Sequence, residues 1–118
     1  MTTDYLWPDP EAVRTLTSVL KLPATGREQD WEIELADAAK LGEMLTLFSS
    51  GGLDLECRSA LALLILFAIE YYPDVDIPPR QWIGPVREAL ENDPEVRNRM
   101  LSYWGFHGGQ TIVAAILA

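Results

Sequence analysis

This sequence predicts an all-α protein, and three observations carry that expectation. Apolar residues recur at i, i+3, i+4 and i+7, as in Leu41, Met44, Leu45 and Phe48, the spacing of one helical face. Aspartate-led starts stand at Asp9-Pro10-Glu11 and Asp93-Pro94-Glu95, where a carboxylate can accept free amides and proline suits the first helical position. A stretch from Ala60 to Ile69 is apolar on every face, which in a water-soluble chain means a helix surrounded by others. The expected architecture is an irregular bundle of five or six helices around a central apolar helix at about 54–72, with one short extended segment near 31–35. At 118 residues, a single helical domain over 1–118 is expected.

The elements follow in order. Asp9 starts a first helix whose stripe is Val13, Leu16 and Leu20, and Pro23 ends it. A second helix is expected from about Asp37 to Ser50, with Lys40 and Glu43 facing outward. Gly51-Gly52 then supplies the left-handed residue that commonly follows a helix end. The central helix opens at Asp54, with Glu56 at its positive end, and Pro73 stops it. A fourth helix holds Trp82, Val86, Ala89 and Leu90; Pro85 lacks the amide for an i−4 bond, so this helix is expected to start or kink there. A fifth runs from Asp93 to about Trp104, with Val96, Met100, Tyr103 and Trp104 on one face and Gly105 ending it. The two Asp-Pro-Glu starts read as independent caps, because the residues after them do not match. The apolar tail 110–118 reads as a short helix folding back on the core; burial or self-association would each account for it.

Charge narrows the function classes. The net charge is −9, and residues 1–76 carry all of it, with fourteen acids against five bases. Such a surplus repels phosphate, so nucleic acid and anionic membranes are poor partners, whereas a basic protein is the natural complement. Acidity that only keeps the chain soluble is the competing reading. Cys57 is the single cysteine, so no internal disulfide is possible and a reducing, cytoplasmic setting is expected. The N-terminus has neither the basic region nor the apolar core of a signal peptide. The longest apolar run, ten residues from Ala60 to Ile69, falls well short of the roughly 20 that span a membrane.

The acids concentrate between Glu28 and Asp37. There Trp31, Ile33 and Leu35 alternate with Glu32 and Glu34, a period of two that gives an extended segment one apolar and one charged face. Glu28, Asp30, Trp31, Glu32, Glu34 and Asp37 are the candidate partner-binding residues. Trp31 reads either as an interface anchor or as a staple holding the segment on the helices.

Catalytic signatures are thin. His107 is the one histidine, in Gly105-Phe106-His107-Gly108-Gly109, and would have to serve as base to Cys57; a buried, inert thiol is the alternative. One cysteine and one histidine cannot supply the three nitrogen or sulfur ligands zinc requires. Asp74-Val75-Asp76 lacks the glycine-turned loop of a calcium site, and Gly51-Gly52 is not followed by a phosphate-loop lysine. No metal or cofactor is therefore expected. Glu70, at the end of the apolar helix, reads as a structural carboxylate seeking a partner, an arginine between Arg80 and Arg99 among the choices.

Trp31-Glu32-Ile33-Glu34-Leu35-Ala36-Asp37, the following amphipathic helix, Arg58-Ser59-Ala60-Leu61, and Asp93-Pro94-Glu95-Val96 leading to Tyr103-Trp104 resemble small acidic helical bacterial proteins of the kind that includes immunity proteins of toxin systems. The resemblance covers residues 24–104. It implies a non-enzymatic, partner-binding role and carries over no catalytic residue. Two other expectations stand beside it: a small enzyme using Asp74, Asp76 and His107, and an adaptor that self-associates through the tail.

Overall fold

A computed structural model describes residues 8–22, 40–71, 80–107 and 111–117. Six helices account for most of them: α1 (Pro10–Val19), α2 (Leu41–Ser49), α3 (Leu55–Tyr71), α4 (Arg80–Glu91), α5 (Pro94–His107) and α6 (Thr111–Leu117). No strand occurs among the described residues, and the arrangement is the all-α irregular bundle. The extended segment expected at 31–35 lies outside them.

The start signals act as the sequence predicts. Asp9 accepts the amides of Glu11 and Ala12 at 3.0 and 3.2 Å. Asp54 accepts the Cys57 amide at 2.8 Å, and Asp93 that of Val96 at 3.4 Å. The end of α1 departs from expectation. The helix stops at Val19 rather than at Pro23, because Lys21 takes a left-handed turn with φ 54°. The Leu22 amide then donates to the Thr17 carbonyl at 3.0 Å and the Lys21 amide to Ser18 at 3.3 Å. This is the helix-ending pattern that glycine usually supplies.

Lys40 is a second correction. It is half-buried rather than outward-facing, and its Nζ donates to the Leu20 carbonyl at 3.0 Å. A cation thereby caps the negative end of α1 and ties α2 to it.

Helix α3 is the axis of the core. Every residue from Ser59 to Ile69 is buried, and α1, α2, α5 and α6 all pack against it. Neighbouring helices contribute one face each: Ala12 and Leu16 from α1, Leu41, Met44 and Phe48 from α2, Val86 and Leu90 from α4. From α5 come Val96, Met100, Tyr103 and Trp104. The Cα radius of gyration is 13.1 Å, close to the ~13 Å of a compact chain of about 100 residues.

Two punctuation residues do not bound their helices. Helix α4 begins at Arg80, five residues before Pro85. Pro85 and Gln81 are both exposed, so water can take the Gln81 carbonyl that proline leaves without an amide. Helix α5 continues through Gly105 to His107. An interior glycine costs only about 1 kcal/mol, and the packed face ending at Trp104 outweighs it.

The tail is a buried helix. Val113, Ile116 and Leu117 face the core while Ala114 and Ala115 face water. Burial within the same chain therefore accounts for its apolar character.

Candidate functional site

The six candidate partner-binding residues, Glu28, Asp30, Trp31, Glu32, Glu34 and Asp37, lie outside the described residues, as do Asp74 and Asp76. What the structure does give is the electrostatics of the described helices.

Helices α3 and α5 run parallel. Arg58 near the start of α3 meets Asp93 at the start of α5, and Phe67 further along meets Tyr103 and Trp104. Parallel neighbours bring two positive helix ends together. Asp54, Glu56 and Asp93 stand at that end and offset them. Two arginines then knit the carboxylates. Arg58 Nε bonds Asp93 Oδ2 at 2.7 Å while its Nη1 donates to the Leu53 carbonyl at 2.9 Å. Arg99 Nη1 reaches Glu56 Oε1 at 2.8 Å and Ser59 Oγ at 3.3 Å. The Cys57 amide holds the Asp54 carboxyl below the usual carboxylate range, as hydrogen bonds to the charged form do.

Cys57 sits inside this end and is buried. Burial, reinforced by the Asp54 carboxylate, pushes its thiol up to about 11, the opposite of what a nucleophile needs. His107 lies in the last turn of α5, not in a turn after it. Asp93, whose partner Arg58 adjoins Cys57, is fourteen residues before His107 in a parallel helix, roughly 21 Å at 1.5 Å per residue. The backbone of His107 therefore stands at the opposite end of α5 from the end that Cys57 adjoins. Native Cys57 is expected to resist a thiol reagent at neutral pH and to react fully once denatured. Rapid stoichiometric labelling of the folded protein would contradict the raised pKa.

Glu70 proves structural. Its Oε2 accepts the Val113 amide at 3.2 Å, so a carboxylate on α3 caps the start of α6. Arg97, an arginine of the stretch weighed for it, donates to the Leu117 carbonyl at 2.7 Å.

Two concavities among the described residues carry little chemistry. A cavity of about 10 Å³ inside the core is lined by apolar side chains including Leu45, Phe48 and Val86, and is small even for one water. An open groove between α2 and α4 is lined by Gly42, Leu45, Thr46, Ser49, Ser50 and Trp82, none of them ionisable. The Trp104 indole N–H is buried without a hydrogen-bond partner among the described residues. Among those residues no three His, Cys, Asp or Glu side chains gather to hold a metal ion, and no helix is long and apolar enough to cross a membrane.

Charge is unevenly distributed along the sequence. The described residues carry ten acids and eight bases, a net of −2. The segments outside them, 1–7, 23–39, 72–79, 108–110 and 118, carry eight acids against Arg27 alone, a net of −7. Frame charges are largely engaged with one another: Glu11 with Arg14, Lys40 with Glu43, Arg87 with Glu91, besides the pairs of Arg58 and Arg99. Sequence reading missed these long-range partners, because nothing local marks Arg58 for a carboxylate 35 positions away.

Protein-family models, curated proteins and solved structures were compared with the chain, and none matches it.

Proposed function

We propose that this chain is a non-enzymatic, cytoplasmic protein-binding module, most concretely an immunity protein that neutralises a toxin through an acidic surface on residues 28–37. The observation that carries this reading is the partition of charge. Residues 28–37 hold five acids and no base, −5 of the chain's net −9. If acidity served solubility alone, the surplus would have no reason to concentrate in ten residues. Concentrated carboxylates favour a basic protein, speed its approach at low salt and repel nucleic acid and anionic lipid. The buried, singly occurring Cys57 suits a reducing compartment.

The test replaces Glu28, Asp30, Glu32 and Glu34 with lysine. Circular dichroism is expected to keep its helical signature. Basic proteins co-purifying with the unaltered chain at low salt, and released as salt rises, are expected to be lost with the variant. Equal retention by both proteins, independent of salt, would remove the electrostatic reading.

A further inference from the structure

We propose that α6 is a latch that opens as a unit while the other five helices stay folded, with Glu70 and Arg97 as its two clasps. At seven residues, α6 is too short to hold itself in water. It exists because of what it docks on. Glu70 of α3 accepts the Val113 amide at its positive end, and Arg97 of α5 donates to the Leu117 carbonyl at its negative end. Both clasps match the helix dipole, and neither belongs to α6. Among its described side chains, Val113, Ile116 and Leu117 face inward.

Opening α6 breaks its contacts with α3, α4 and α5. The rest of the core survives it, because α3 remains packed against α1, α2 and α5, and α4 against α2 and α5. Cooperative units of a fold open below the free energy of global unfolding. An open α6 bares apolar surface on itself and on the α3, α4 and α5 faces it covers.

Amide hydrogen exchange on the full chain tests this. Ala115, Ile116 and Leu117, whose helical hydrogen bonds lie inside α6, are expected to exchange together and at least about tenfold faster than the amides of Leu64–Ile69. The decisive variant is Val13→Ala, on α1. It weakens the body, so the α3 amides are expected to exchange about fivefold faster, while the α6 amides keep their rate. Glu70→Gln is expected to speed the α6 amides about tenfold, the loss of one charge-assisted hydrogen bond; Arg97→Gln is a second such variant at the other end. If the α6 and α3 amides respond alike to Val13→Ala, α6 opens only when everything does and the latch is overturned. If both clasp variants leave α6 exchange unchanged, the clasps are overturned.

Discussion

Replacing Leu64 with alanine is expected to lower the unfolding free energy by about 4 kcal/mol, toward the upper part of the range for buried leucines. Leu64 is 0% exposed at the middle of α3. Two conditions set the cost: the removed methyl groups, and how far the surroundings can collapse into the space. Collapse is restricted here, since α3 is enclosed by four helices and Arg58, Ser59 and Glu70 fix its ends to its neighbours. For a domain of this size the melting temperature should fall by about 15 °C. Val19→Ala makes the contrast, because Val19 is 49% exposed and should change stability by less than about 0.5 kcal/mol. Thermal and chemical denaturation of both variants measures the difference. A Leu64→Ala cost below about 1 kcal/mol would mean that α3 is not the packing centre.

That α3 is central was legible in the sequence, and the reason is physical. An all-round apolar helix has one stable environment in a soluble protein, so composition alone placed it. Helix starts were legible for a similar reason: Asp9, Asp54 and Asp93 act on amides two or three residues away. Helix ends were not. Lys21 adopts a left-handed turn that its side chain does not announce, and the packing of α4 and α5 overrides Pro85 and Gly105. These outcomes depend on tertiary contacts, which outweigh costs of about 1 to 3 kcal/mol in local propensity.

The candidate surface was legible in a different sense. Composition shows where the acids are, and the alternation of Trp31, Ile33 and Leu35 shows which side chains would share a face. Neither shows what lies opposite. The described residues are nearly neutral, so the five acids of Glu28 to Asp37 stand out within this chain and not merely against an average protein. Glu70 shows what composition leaves out. The sequence suggests a structural carboxylate, and among its contacts is a backbone amide of a helix more than 40 residues away. Only a fold can supply that partner.

Asp93→Ala should be the most costly of the polar substitutions, at about 2–3 kcal/mol. Asp93 has two duties where its sequence echo, Asp9, has the cap alone. One oxygen caps α5 at the Val96 amide, and the other bonds Arg58 of α3. Losing the cap costs about 1 kcal/mol. Stranding Arg58 adds about 1–2 kcal/mol, less than a fully buried pair because the two side chains remain 23% and 18% exposed and water screens them. Arg58 also keeps the Leu53 carbonyl, which limits the loss further. Asp93→Asn separates the duties, since an amide oxygen can still cap the helix while the charge is gone; about half of the penalty should return. Asp9→Ala, which removes a cap alone, should cost only about 1 kcal/mol. A double-mutant cycle with Arg58→Met isolates the pair, with a coupling of about 1 kcal/mol expected. Coupling near zero would show that the cap carries the whole effect and that α3 and α5 are joined by packing, not by charge.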